Sequence, residues 1–194
     1  KIAPELLEKK KAEKKDLPEL KNASKGNVVT RIPPEPSKYA HIGHALSFLI
    51  NYMYARKYSG KCFVRFEDTN PELAKKEYAD AMLDDMEYLG IKPNKVAHIS
   101  NDLQMLYDYA EKLVKQGNAF VCFCSQEKMR ELRHEGFGCS CRQNGSKQNL
   151  DEWKSMLNKK YKAGEAVLRL KGSMESPNHV MRDPVLFRIS YTEN

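Results

Sequence analysis

No stretch of these 194 residues approaches the roughly 20 consecutive apolar residues that a membrane-spanning helix needs. The Lys-rich start has no apolar h-region, so no secretory signal is expected. An even cysteine count is also missing: there are five, two pairs of them in the form Cys-x-Cys. In a chain of this size without export signals, that predicts reduced thiols or a metal site rather than disulfides. The chain therefore reads as cytoplasmic. It also has no internal repeat and no long low-complexity tract. Charge is abundant but unbalanced, with 33 Lys and Arg against 26 Asp and Glu and a net charge of +7. An anionic partner suits that balance. Part of the excess lies in KIAPELLEKKKAEKKDLPELK, so charge alone does not establish nucleic-acid binding.

Residues 1–24 form a polar lead-in broken by Pro4 and Pro18, with a short helix carrying Leu6 and Leu7 as one reading. Asn27 to Ile32 is β-branched and halts at Pro33-Pro34, which cannot continue a central strand. From His41 the spacing turns helical through Leu46, Leu49, Ile50, Met53 and Tyr54, until Ser59-Gly60. Lys61 to Phe66 is the next strand. Strand, helix, strand is a βαβ unit with parallel strands and a right-handed crossover. Two more amphipathic helices follow, around Tyr78 to Leu89 and around Leu106 to Val114. This alternation predicts an α/β fold with a parallel sheet over residues 25–118. Beyond it, 119–194 reads as a subdomain of β and loop character. Its strands are expected at Ala119 to Cys124, Ala166 to Lys171 and Val185 to Ser190. Its one helix is expected near Leu150 to Leu157, with Trp153, Met156 and Leu157 as core packing, and a loop fills the span up to Ser146.

In parallel α/β sheets, ligands bind beyond the carboxyl ends of strands, where helix N-termini begin. His41, Gly43 and His44 sit there, in the first turn of the long helix. Unpaired backbone N–H groups and the helix dipole favour an anion at such a place. Two imidazoles three residues apart are neighbours and can both aim N–H groups at one phosphate chain. Gly43 leaves room for a nucleotide against the backbone. An isolated His-x-x-His would more often cap, pack or bind a metal.

The surroundings of these histidines are more specific. Pro33-Pro34-Glu35-Pro36 followed by His41-Ile42-Gly43-His44 resembles the HIGH signature of class I aminoacyl-tRNA synthetases. The full wording RIPPEPSKYAHIGHA, with CFVRFEDTNPE from Cys62 to Glu72, resembles the glutamyl and glutaminyl branch. The resemblance covers about residues 25 to 194. It implies a Rossmann-like catalytic domain, represented by its HIGH-bearing first half, with an inserted subdomain that binds the tRNA acceptor end. The implied reaction is attack of the amino-acid carboxylate on the α-phosphorus of ATP, supplied with Mg2+, followed by transfer from the adenylate to the tRNA terminal hydroxyl. Catalysis of that kind is positioning plus stabilisation of phosphate charge.

By the same resemblance, His41 and His44 are the catalytic pair. Glu35, Pro36, Ser37, Ile42, Gly43 and Ala45 line the ATP site beside them. Asp68 is implied to meet the substrate ammonium and Arg31 the amino-acid side chain. Each has a plain alternative: Asp68 as a cap of the next turn, Arg31 as an ion-pair partner of Glu67 or Asp68. RFEDT and the paired Cys-x-Cys tilt the reading toward glutamate, with glutamine as the alternative amino acid. A non-catalytic tRNA-binding subunit on the same scaffold is a further alternative, as is a relative that attaches glutamate to a modified tRNA base. The family's second ATP-binding loop, of KMSKS type, is not found, and no anticodon-reading domain is recognised. The chain is therefore expected to be a catalytic-domain fragment, inactive alone, and a monomer is expected separately.

Cys122-x-Cys124 and Cys139-x-Cys141 could supply four thiolates to a structural Zn2+. The alternative is a set of buried free thiols, and His134 is a weaker candidate ligand. Glutamyl enzymes of the archaeal type carry a similar zinc loop, several with a histidine in place of the last cysteine. Cys62, inside a strand, reads as core. Arg130, Arg133, Arg142, Lys147, Arg169 and Lys171 are candidates for tRNA phosphate contacts.

Overall fold

A computed structural model describes residues 16–192, so the short helix considered around Leu6 and Leu7 lies outside the described residues. Among the described residues, six strands and five α-helices follow one another. These are β1 (Val29–Ile32), α1 (Ile42–Lys57), β2 (Lys61–Phe66), α2 (Lys76–Tyr88), β3 (Lys95–His98), α3 (Leu103–Lys115), β4 (Ala119–Cys122), α4 (Gln126–Glu135), α5 (Ser146–Leu157), β5 (Val167–Leu170) and β6 (Val185–Arg188). Among the described residues no helix is long and apolar enough to cross a membrane. The chain divides into two compact units. The first runs to Glu67 and resumes over Lys75–Ala97; the second holds Asp68–Ala74 and everything from His98 onward.

In the first unit the sheet order is β1-β2-β3, and β1 and β2 pair in parallel from Val29↔Lys61 to Ile32↔Val64. The α/β character expected from the sequence is what forms. The turn from α1 into β2 explains Gly60: a Cβ there would sit 2.0 Å from the Val28 carbonyl oxygen, while Ser59 takes the left-handed φ of 50°. The close approach lets the Lys61 N–H bond Val28 O at 2.9 Å and start the parallel ladder. Ile32, Phe48, Ala55, Cys62, Val64, Phe66, Met82, Met86 and Ile91 form the core, so Cys62 is a packing residue.

Helix α1 forms where its periodicity predicts, but its buried face differs. Phe48 and Ala55 are buried with Leu49 and Tyr52 against them, whereas Leu46, Ile50 and Met53 are exposed. The helix is apolar on more than one side, so period alone does not choose the inward face.

In the second unit β4, β5 and β6 form an antiparallel sheet, with Ala119↔Leu170 and Cys122↔Val167 in register. Helix α3, expected with the first region, packs here instead. Ala110 and Val114 join Ala119, Val121, Trp153, Met156, Ala166 and Leu168 in one core. The stretch expected to be loop up to Ser146 contains α4 and a 3-10 turn at Ser140–Gln143. Helix α4 is capped by the Ser125 hydroxyl, which accepts from the Lys128 N–H, and stopped by Gly136 at φ 83°. Its Met129 and Leu132, three apart, cover the cysteine cluster.

Candidate active site and metal centre

The first turn of α1 caps itself with its own imidazoles. His41 is the N-cap residue, with extended backbone (φ −129°, ψ 175°), and its Nδ1 accepts from the Gly43 N–H at 3.1 Å. His44 Nδ1 reaches back to accept from the His41 N–H at 3.1 Å. This is a capping box in which imidazoles replace the usual hydroxyl and carboxylate. The consequence is chemical. An Nδ1 that accepts a hydrogen bond carries no proton, so each neutral ring holds its proton on Nε2. The two rings lie together, centroids 4.0 Å apart. Burial, then the charges of His41 and Lys38, push the His44 pKa below its ordinary value and favour this neutral donor.

Gly43 also has a role inside the turn itself. A Cβ at this position would fall 2.9 Å from His41 Cε1 and 3.1 Å from its Nδ1. The missing side chain makes room for the capping imidazole. The backbone N–H groups of His41 and Gly43 are likewise occupied by the rings, which leaves Nε2–H as the donor that each neutral ring can offer an anion.

The loop before α1 is tied to the strand ends. Pro34 O accepts from the Glu67 N–H and Pro36 O from the Lys75 N–H, both at 2.9 Å, with Pro34 and Pro36 buried and Glu35 exposed between them. Ser37 folds its N–H onto Glu35 O at 2.9 Å. Ile42 is 86% exposed. A cavity of about 250 Å³ opens beside His41, lined by Ile42, Ala45, Phe48, Asp85 and Tyr88. It is smaller than the roughly 300–1,000 Å³ of ordinary ligand pockets and does not by itself accommodate a nucleotide.

Arg31 pairs with Glu67 at 2.5 Å, and Arg65 reaches the same oxygen at 2.9 Å. Burial opposes ionisation of Glu67, but hydrogen bonds from Arg65 and Arg31 outweigh it and hold the carboxyl below its usual range. The Arg31 and Glu67 side chains remain 44% and 37% exposed. Such a pair is worth about 0–1 kcal/mol, little enough for a ligand to open.

Asp68 differs sharply from its sequence neighbour. Its carboxylate accepts from the Ser100 N–H at 2.9 Å, the Ser100 hydroxyl at 2.7 Å and His98 Nδ1 at 2.9 Å. Only 12% of its side chain is exposed. Burial opposes its ionisation, yet the Ser100 and His98 bonds keep its pKa low. Asp68, assigned to the ammonium on resemblance, thus braces the distant segment 98–100; it does not cap the turn that follows its own strand, where Asn70 Oδ1 accepts from the Glu72 N–H at 3.3 Å. Glu67 is the more exposed of the two carboxylates, held by Arg31 and Arg65 through one oxygen, Oε1.

In the second unit the four sulfurs of Cys122, Cys124, Cys139 and Cys141 lie within 4.8 Å of one another. Cys122 Sγ and Cys139 Sγ are 3.7 Å apart, close to the edge of about 3.8 Å of a tetrahedron with 2.3 Å metal–sulfur bonds. All four are free thiols, so the residues fit a tetrathiolate metal site. Burial, then neighbouring Cys122, push the Cys124 thiol up to about 12, while the Phe123 N–H and the other thiols overcome burial and lower that of Cys141. His134 takes no part in the cluster; its ring stands edge-on to His179, 5.8 Å away.

A family model described as tRNA synthetases class I (E and Q), catalytic domain, matches residues 27–194. The chain belongs to this family. Among similar proteins, a glutamate–tRNA ligase of Pyrococcus furiosus is 43% identical over 93% of the chain and 32% of its own length. Those of Pyrococcus abyssi and Nitrosopumilus maritimus are each 44% identical, over 97% and 96% of the chain and 34% and 33% of theirs. The chain thus spans about a third of the length of these relatives. A crystal structure of a glutamate tRNA ligase from Elizabethkingia meningosepticum, in complex with its amino acid, has the same fold. It aligns with a TM-score of 0.60 at 20% identity, covering 83% of this chain and 38% of that one.

Within this class I synthetase domain, the basic residues proposed for tRNA phosphates separate on burial. Arg130 and Lys147 are exposed and Lys171 half-buried. Arg169 is 1% exposed and points inward, and Arg142 is committed to Asp183 at 3.0 Å. Arg133 donates to His179 O at 2.8 Å. Arg169 and Arg142 are therefore removed from the candidate tRNA contacts, because their guanidinium groups are spent inside the unit.

Proposed function

We propose that this chain is part of the catalytic domain of a cytoplasmic, monomeric glutamate–tRNA ligase. The ligase joins glutamate to tRNA(Glu) through a glutamyl-adenylate at the expense of ATP, supplied with Mg2+. The observation that carries the reading is the self-capped His41-Gly43-His44 turn, which fixes two Nε2–H donors at the N-terminus of α1. Those donors hold the ATP phosphates, with Glu35, Pro36, Ser37, Ile42 and Ala45 around them. They stabilise charge as the glutamate carboxylate attacks the α-phosphorus and pyrophosphate leaves. No protein nucleophile is required.

Glutamate enters at the Arg31–Glu67 pair. Its side-chain carboxylate takes Arg31 and its ammonium takes Glu67, exchanging one weak exposed ion pair for two ligand contacts. Asp68 holds the segment 98–100 rather than the ligand. Cys122, Cys124, Cys139 and Cys141 hold Zn2+, which when bound pins the loop and 3-10 turn between β4 and α5. The second unit takes the tRNA acceptor end, with Arg130, Lys147 and Lys171 available to phosphates. Pyrophosphate exchange by the full-length protein tests the assignment. Exchange that depends on glutamate supports it, and exchange with glutamine alone overturns it.

A further inference from the structure

Arg169 is among the largest fully buried side chains of the molecule, at 1% exposure. Its Nε donates to the Asp183 carbonyl oxygen at 2.9 Å, and its guanidinium carbon lies 5.4 Å from the Phe120 ring centre. Its Nη1 lies 3.6 Å from Cys122 Sγ and 3.7 Å from Cys139 Sγ. The carboxylate of the buried Asp183 is committed elsewhere, to Arg142 Nε at 3.0 Å and the Gly172 N–H at 2.8 Å. Among the described residues Arg169 has no ion pair with a carboxylate. A buried guanidinium without a counter-charge costs several kcal/mol.

The thiol cluster has the opposite imbalance once it is loaded. Four thiolates around one divalent ion sum to a charge of about −2, enclosed by Phe120, Val167, Met129 and Leu132. The two imbalances face each other at hydrogen-bonding distance to sulfur. We propose that Arg169 is the outer-shell partner of the metal centre, donating N–H to two ligand sulfurs and offsetting part of the tetrathiolate charge. This rests on reading the cluster as a metal site.

The surrounding backbone holds the guanidinium at that distance. Asp183 adopts a left-handed φ of 43° and turns its carbonyl to Arg169 Nε while its carboxylate grips Gly172. A Cβ at Gly172 would meet Met181 O at 2.0 Å, so the close pairing of 172 with 181–183 requires glycine. Arg142, next to Cys141 in sequence, closes the arrangement by donating to Asp183 and to Gly172 O at 3.0 Å. Ligand-orienting contacts of this kind typically change metal affinity by about 10–100-fold.

The test uses the full-length protein with Zn2+ or Co2+ alone as probe, and the variants R169M and R169K. Chelator competition is expected to show metal affinity about 10–100-fold lower for R169M, with an intermediate loss for R169K, which keeps the charge but not the fork. Co2+ spectra of both variants should remain tetrahedral and thiolate-rich. Denaturant unfolding gives the decisive contrast. R169M should be weaker than wild type with metal bound, and equal or stronger in the metal-free form, where the buried charge has no partner. Unchanged affinity in both variants, or equal destabilisation with and without metal, overturns the proposal while leaving the metal site standing. Failure of the wild type to take up either metal overturns both. If R169M does not fold, the affinity of R169K decides alone: a loss supports the proposal and wild-type affinity overturns it.

Discussion

The two candidate sites of this chain are assembled in opposite ways. The histidine turn is local and exposed: both capping bonds span two or three residues. The cysteine cluster is buried and long-range, with Cys122 and Cys139 seventeen residues apart and Arg169 reaching Cys122 across forty-seven. A local site is completed by one turn of helix and depends little on the rest of the fold. A long-range one exists only when β4, the 3-10 turn and β5 are all in place. Disturbing the first should therefore alter chemistry with little loss of stability. Disturbing the second should do the reverse.

The largest expected effect is on the cysteine side. Cys139→Ala, or a strong chelator, should destabilise the second unit by several kcal/mol. The loss should fall short of the roughly 10–16 kcal/mol of a zinc finger, because the core around Trp153 and Val114 remains. Hydrogen exchange should show protection lost over α4 and Ser140–Gln143 and kept over β1, α1 and β2. Unaltered exchange after chelation would reduce the cluster to packed thiols.

The contrast also explains what could be read beforehand. Strand β2 was legible to the residue, because its alternation is bounded by Gly60 and by the Asp-Thr-Asn-Pro run. The histidine turn was legible as the start of a helix, though not its self-capping, which depends on ring orientation. Helix α4 has local signals in Ser125, Gly136 and the Met129/Leu132 pair, but the cysteines and glycines around it are equally those of a loop. Arg169 and Asp183 were invisible as partners of the cluster. Their contacts cross 14 to 47 residues, and nothing local distinguishes a buried arginine in VLRL from an exposed one. Asp68 and Glu67 are adjacent in sequence, and only the fold tells which carboxylate is already satisfied.

On the histidine side, His44→Asn is expected to lower pyrophosphate exchange by the full-length protein by about 10²–10³-fold, the usual cost of one lost electrostatic donor. Asparagine retains an acceptor near the Nδ1 position, so the bond from the His41 N–H survives and stability should change by less than about 1 kcal/mol. Equal loss of stability and rate would mean that the ring only caps.

Gly43→Ala should be milder. The new methyl forces the His41 ring away from the Gly43 N–H, and a displacement of about 1 Å can cost up to about 10²-fold in rate. The lost cap, about 1 kcal/mol, is offset by the better helix propensity of alanine, so the thermal midpoint should hardly move. A fully active, normally stable Gly43→Ala protein would show that the ring position does not matter.

The smallest effect is the titration of His44. Its pKa is depressed by burial and then by His41 and Lys38, so the folded state favours the neutral ring. The unfolded chain then binds more protons just below pH ~6.5, and the stability contributed by this group is present above that pH and lost as pH falls through the folded pKa. NMR should place the His44 midpoint below ~6.5, with the neutral form protonated on Nε2. His41→Asn should move that midpoint upward by removing one of the neighbouring charges. A midpoint at or above ~6.5, or a neutral ring protonated on Nδ1, would contradict the capping geometry and with it the pair of phosphate donors.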